Sequence, residues 1–250
     1  MSDYLSTVAI VLRAQDYKEV DQLLTVYTKD RGKITVLVKG VKKNSSKLRG
    51  GVQLFGQSHL TLAVGKGIPV VINAESMDIF PTIRADFGRM SYAGYCAELI
   101  DRLLVSDEYA ERVFLLILQA MNLLAYIDPW VAAKALEIRL LALLGYRAQV
   151  TACLHCGRAL AGREPRKGII GGVCHAACAA PDEQAASVPL DAEAVTVYQA
   201  LGQMPAHDLG RVYVSKAARR QLEDYLDLQL SHILDAPLKT RAFLRSMLGA

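Results

Sequence analysis

The apolar positions change period once along the chain. Up to about residue 80 they fall in short runs rich in β-branched residues: Thr7 to Leu12, Leu23 to Tyr27, Ile34 to Val38, Leu54 to Val64 and Ile68 to Ala74. Glycine-bearing turns separate several of them, Lys29-Asp30-Arg31-Gly32 and Gly65-Lys66-Gly67 among them. Five short strands in such a length predict a small closed barrel, OB-like or SH3-like. Periodicity alone does not choose between the two. Between the third and fourth strands lies a polar connection, residues 39–51.

From Pro81 the period becomes helical. Helices are predicted over Ile83–Val105, Tyr109–Tyr126, Trp130–Leu144, Asp191–Leu201, Lys216–Leu234 and Leu238–Leu248. Ser106 is the expected cap of the second, Asp128-Pro129 starts the third, and Gly145 ends it. The third helix is apolar nearly all round, so it is expected at the centre of a bundle. Its charged residues are Lys134, Glu137 and Arg139. The expectation is therefore an α+β protein, with a barrel over residues 1–80 and a helical domain over 81–250. A cysteine-bearing insertion at about residues 151–182 interrupts the helical part.

Composition excludes some classes. Of the 250 residues, 52% are hydrophobic and 22% charged, which is a globular composition. The longest apolar run, Val113 to Ile127, is shorter than the ~18 residues of a membrane span and carries Gln119 and Asn122. The N-terminus lacks the basic and apolar regions of a signal peptide, so a cytoplasmic location is expected.

The net charge of +4 conceals an asymmetry. Lys29, Arg31, Lys33, Lys39, Lys42, Lys43, Lys47 and Arg49 lie within 21 residues, opposed by Asp30 alone, a net of +7. Such a run is either a solvated loop that aids solubility or a surface for something anionic.

Four of the five cysteines form two close pairs, Cys153-x2-Cys156 and Cys174-x3-Cys178, with 17 residues between them. Two such pairs on separate turns suit a tetrahedral Zn²⁺ site. Disulfides, a redox Cys-x-x-Cys and an iron–sulfur cluster compete with that reading. His155 and His175 fall inside the two motifs and could substitute as ligands, but they read as surface turn residues because four thiolates already fill the site. A closed four-cysteine site is structural, since it leaves no position open for water. Four thiolates and one Zn²⁺ would lower the folded protein's charge to about +2. Cys96, the fifth, reads as a small core residue.

No Walker A, Gly-x-Gly-x-x-Gly, His-Glu-x-x-His or Gly-x-Ser-x-Gly pattern is present. The pairs Glu19/Asp21 and Glu98/Asp101 have no histidine, lysine or metal cue beside them. A binding protein is favoured over an enzyme. The alternative class is a scaffold whose basic loop binds a protein partner.

Glu19 to Thr28, then Gly32 and Lys39-Gly40-Val41-Lys42-Lys43, resemble the N-terminal pattern of the bacterial RecO recombination mediator family. Gly145-Tyr146 before Cys153-x2-Cys156-Gly157 is similar to that family's entry to its zinc module, and Leu238 to Leu244 to its C-terminus. The second cysteine pair is wider than the x2 spacing common there.

The resemblance implies an OB-fold and a helical domain with a zinc insertion. It implies binding to single- and double-stranded DNA, strand annealing, and loading of RecA onto strands coated with single-strand-binding protein. RecR and the acidic, hydrophobic tail of single-strand-binding protein are the implied partners, in a nucleoid-associated setting. The basic segment fits that function as the DNA surface. Lys134 and Arg139 are candidate cations for the tail, unless Lys134 pairs with Glu137 and Arg139 snorkels outward.

Overall fold

A computed structural model describes residues 3–104, 110–160 and 164–247. Five strands come first: β1 (Asp3–Tyr17), β2 (Asp21–Thr28), β3 (Gly32–Val38), β4 (Gln57–Val64) and β5 (Val70–Asp78). Helices α1 (Pro81–Ala85), α2 (Phe87–Leu103), α3 (Ala110–Tyr126) and α4 (Pro129–Leu143) follow. Then come β6 (Arg166–Ile169), β7 (Gly172–His175), α5 (Pro181–Ala186) and β8 (Val188–Leu190). The chain ends with α6 (Ala192–Gln203), α7 (Lys216–Ile233) and α8 (Lys239–Met247). Residues 1–129 and 240–250 form one compact unit, and residues 130–239 a second.

In the first unit the strands close into a barrel of order β1-β2-β3-β5-β4. The long β1 serves two neighbours. Asp3 to Ile10 pairs with β4, and Ala9 to Tyr17 pairs with β2, with a bulge between Val11 and Arg13 that turns the strand around the barrel. A parallel Leu37–Val70 pairing joins β3 to β5. A parallel pair needs a crossover connection, and the segment 39–56 begins it. This five-stranded Greek-key closure is the OB arrangement, which settles the choice left open by periodicity. Alternate residues such as Leu24/Val26, Val36/Val38 and Leu60/Leu62 fill the barrel core.

The 39–51 connection is not a free loop. Val41 and Val52 are buried in the barrel core and Leu48 packs against it. The Arg49 guanidinium donates to the carbonyls of Val41, Lys42 and Lys43, at 3.3, 2.7 and 2.9 Å. A short 3-10 turn, Arg49–Val52, then lies against β5. A Cβ on Gly51 would stand 2.2 Å from the Ala74 carbonyl oxygen, so glycine is what permits that approach.

The predicted helix Ile83–Val105 is two helices. Asp86 is extended between them and its carboxylate accepts from the Arg89 N–H at 2.8 Å, so it caps α2 and interrupts the run. Ser106, the expected cap of α3, lies outside the described residues. The Glu98 carboxylate accepts from both the backbone N–H and the hydroxyl of Thr240, which ties α8 to α2.

In the second unit α4 is buried at every residue from Trp130 to Ile138, as its apolar circumference predicts. It ends in a Schellman turn: Gly145 has φ +91° and the Tyr146 N–H donates to Leu141 C=O at 2.8 Å. Asp191 caps α6 and Ser215 caps α7, each through its side-chain oxygen. The three-stranded sheet β7-β6-β8 rests on α7. A Cβ at Gly168 of β6 would meet the Tyr225 ring at 2.5 Å. Among the described residues no helix is long and apolar enough to cross a membrane.

Candidate functional site

Two features concentrate the chemistry: a cysteine cluster in the second unit and a basic end on the barrel.

The first cysteine pair sits on a tight knuckle. The Cys153 N–H donates to Arg158 C=O and the Gly157 N–H to Cys153 C=O, at 2.8 and 2.9 Å, with Gly157 at φ +70°. The second pair sits at the end of β7. Four ligand atoms from Cys153, Cys156, His175 and Cys178 lie within 4.8 Å of one another. This group of three thiols and one imidazole could hold a metal ion. Tetrahedral zinc with sulfur ligands at ~2.3 Å has edges of about 3.8 Å, a little tighter than the cluster as it stands.

The expectation from spacing was Cys174, not His175. The strand explains the difference. Cys174 and His175 are successive residues of β7, so they point to opposite faces. Cys174 is fully buried against Ile169 and Ala179, its sulfur 3.7 Å from Lys167 C=O. His175 turns to the cluster, with Nδ1 3.5 Å from the Cys156 sulfur. Its Nε2 stands 3.3 Å from the Glu164 carboxylate. The sequence did hold a signal. His175-x2-Cys178 keeps the two-residue spacing that Cys174-x3-Cys178 breaks.

The thiols differ in their surroundings. Arg158 holds the Cys156 thiol down at about 6 through a hydrogen bond to its sulfur. Burial pushes the Cys174 thiol up to about 11. Burial and the crowding of neighbouring thiols also raise Cys178, a repulsion that a divalent cation at the centre would offset. His155 lies outside the cluster, its Nε2 2.8 Å from the Glu183 carboxylate.

The +7 segment is not one patch. Thr28 pairs with Gly32 across the β2–β3 hairpin, so Lys29, Arg31 and Lys33 sit at one end of β3. Lys39, Lys42, Lys43, Lys47 and Arg49 follow its other end, roughly 20 Å away for seven residues of strand. The hairpin lysines are committed to helices. Lys33 Nζ bonds the Asp101 carboxylate and carbonyl, at 3.1 and 2.5 Å, and Lys29 stands 3.3 Å from Glu111.

At the far end Lys42 pairs with Asp16 at 2.8 Å, and Arg49 is spent on the carbonyls of its own loop. Lys39, Lys43 and Lys47 are exposed and make no ion pair among the described residues. Two further lysines share this end, which the sequence reading missed. Lys18 lies in the β1–β2 turn, next to the loop because the Lys42 N–H donates to Val20 C=O. Lys66 lies in the β4–β5 turn, next to it because the Leu37 N–H donates to Pro69 C=O.

Lys134 and Arg139 are used internally. Lys134 and Glu137 form a buried pair at 2.9 Å, one helical turn apart on α4. The Arg139 guanidinium donates to the Leu201 and Met204 carbonyls, at 2.9 and 2.5 Å, and so closes the C-terminal end of α6. Beside α4, however, Ile138, Ala142, Ala148, Val150 and Tyr198 line a cavity of about 240 Å³, with Arg147 also on its wall. Arg147 is exposed.

Comparison with known proteins bears on both units. The family profiles described as "Recombination protein O N terminal" and "Recombination protein O C terminal" match residues 1–80 and 84–242. The chain is 35% identical over 240 residues to the DNA repair protein RecO of Pelotomaculum thermopropionicum, covering 94% of this chain and 91% of that one. It is 34% identical over 242 residues to the DNA repair protein RecO of Roseiflexus sp., covering 95% and 84%. For the DNA repair protein RecO of Moorella thermoacetica the identity is 31% over 242 residues, covering 96% and 90%.

Proposed function

The chain belongs to the RecO family of DNA-repair and recombination proteins, and we propose that it is a non-enzymatic recombination mediator. In this reading it binds single- and double-stranded DNA and anneals complementary strands. With RecR it loads RecA onto strands coated with single-strand-binding protein, in the cytoplasm at the nucleoid. Residues 1–80 act as the DNA-binding module and 81–250 as the helical domain.

The observation that carries the DNA-binding part is the cluster of exposed cations at one end of the OB barrel: Lys18, Lys39, Lys43, Lys47 and Lys66. OB barrels take strands over this region, between the β1–β2 and β4–β5 loops. Phosphate contacts from flexible lysines favour backbone binding with little sequence preference. Five contacts give a slope of log K against log salt near −3.5 on single strands, from about −0.7 each. The metal is proposed to be one structural zinc held by Cys153, Cys156, His175 and Cys178. For the tail of single-strand-binding protein we propose the α4 cavity, whose apolar wall suits the hydrophobic residues and whose Arg147 suits the carboxylates.

Strand annealing without added nucleotide or metal tests the reading. Annealing that needs no ATP, and that fails when Lys39, Lys43 and Lys47 become alanine, is the expected result. Turnover of any nucleotide in the process, or annealing unaffected by those substitutions, overturns it.

A further inference from the structure

A second exposed surface carries both cations and an aromatic ring. Tyr213 is 86% exposed, more than any other large apolar residue described. This exposure is not fraying. On one side the Val212 N–H donates to the C=O of Leu209, which is fully buried. On the other side Val214 is buried, and the backbone N–H and hydroxyl of Ser215 both donate to the Glu193 carboxylate at 2.8 Å. A large ring is therefore held in water between two fixed points.

The charge around it is one-sided. Residues 208–220 contain Arg211, Lys216, Arg219 and Arg220 against Asp208 alone, a net of +3. Arg219 is occupied, its guanidinium over the Trp130 ring at 5.0 Å. Arg211, Lys216 and Arg220 are exposed; Arg211 stands 2.9 Å from Asp208. Lys216 and Arg220 are four residues apart on α7, hence on one face. Arg211 ends a short 3-10 turn, Ala206–Arg211, and Tyr213 follows it by two residues, so its charge lies close along the chain to the ring.

We propose that this surface is a contact site for single-stranded DNA in the second unit, in which Tyr213 stacks on an unpaired base and Arg211, Lys216 and Arg220 hold the phosphates beside it. It rests on the DNA-binding reading above and adds a stacking contact outside the barrel. The barrel's exposed lysines attract any phosphate backbone, whereas an aromatic face rewards a base that has left its pair. Such a contact gives the protein a means to prefer single strands, which simple phosphate binding does not supply.

The test uses the full chain, an oligo(dT) strand and a duplex of equal length at one salt concentration. Tyr213→Ala is expected to weaken the single strand roughly tenfold and to leave the duplex unchanged, with Tyr213→Trp restoring the affinity. Changing Lys216 and Arg220 to alanine is expected to flatten the single-strand salt slope by about 1.4. Unchanged affinity of Tyr213→Ala for the strand, or an equal loss on strand and duplex, overturns the site. So does loss of an acidic peptide ligand with DNA binding intact, which would assign the surface to a protein partner. Wild-type protein that binds neither DNA would overturn the proposed function itself, a result distinct from those variant outcomes.

Discussion

The Glu164 carboxylate stands 3.3 Å from Nε2 of His175, while Nδ1 of the same ring stands 3.5 Å from the Cys156 sulfur. The two nitrogens therefore face opposite kinds of neighbour. A carboxylate that accepts from Nε2–H leaves the Nδ1 lone pair free for a cation, the usual carboxylate–histidine–metal arrangement.

Cys174→Ser is accordingly expected to keep one metal ion per chain, and Cys153→Ser and His175→Ala to lose it, together with expression of folded protein. Glu164→Gln is expected to keep the stoichiometry but to weaken metal affinity by about 10- to 100-fold in a chelator competition. Cobalt substitution reports the ligands directly, since its visible bands differ between a site of three thiolates with one imidazole and a site of four thiolates. Loss of metal in Cys174→Ser with retention in His175→Ala would restore the four-cysteine assignment.

On the barrel, position and not count decides which lysines matter. Lys39→Ala, Lys43→Ala and Lys47→Ala together are expected to weaken single and double strands alike and to flatten the single-strand salt slope by about 2. Lys33→Ala removes the bonds to Asp101 and is expected to cost about 1 kcal/mol of stability while leaving the slope alone. Asp16→Asn releases Lys42 and is expected to steepen the slope. A salt titration of DNA binding and a denaturant melt separate these outcomes.

These contrasts show what the sequence carries. Apolar periodicity and turn glycines predict the strands of the barrel, and the Asp-Pro start and Gly145 end predict α4 almost to the residue. What periodicity misses is long-range pairing. The basic run reads as one block along the chain, yet a seven-residue strand places its parts at opposite ends of β3. Motif spacing likewise treats Cys174 and His175 as neighbours, whereas the pleat of β7 turns them apart. For Lys134 the sequence left two readings open, an available cation and a pair with Glu137, and packing decides for the pair. Lys18 and Lys66 escaped notice because each stands alone in sequence and joins the loop through strand pairing.

The second unit offers two arginines with different duties. Arg147→Ala is expected to weaken binding of a labelled peptide from the tail of single-strand-binding protein and to leave the melting curve unchanged. Arg139→Ala is expected to do the reverse. It removes two hydrogen bonds to the end of α6 and should cost about 1–3 kcal/mol, with peptide affinity preserved in the fraction that stays folded. Equal peptide affinity in Arg147→Ala and wild type would remove the cavity as the site.

The same unit is expected to unfold in alkali through two buried phenols. Burial pushes Tyr198 up to about 12 and raises Tyr225 well above the usual phenol value of about 10. The rings meet edge to face at 5.9 Å, and the Tyr225 hydroxyl donates to Gly172 C=O at 3.1 Å, beneath the sheet that carries the cysteine cluster. Between pH 10 and 12 the unfolded chain has lost phenolic protons that the folded chain still holds, so stability falls as pH rises through that window. Below pH 10 the contribution is fully present. Tyrosinate absorbance should therefore show two residues that titrate late and together with loss of helical circular dichroism. Tyr198→Phe should move the alkaline midpoint upward, and an unmoved midpoint would show that Tyr198 does not govern the transition.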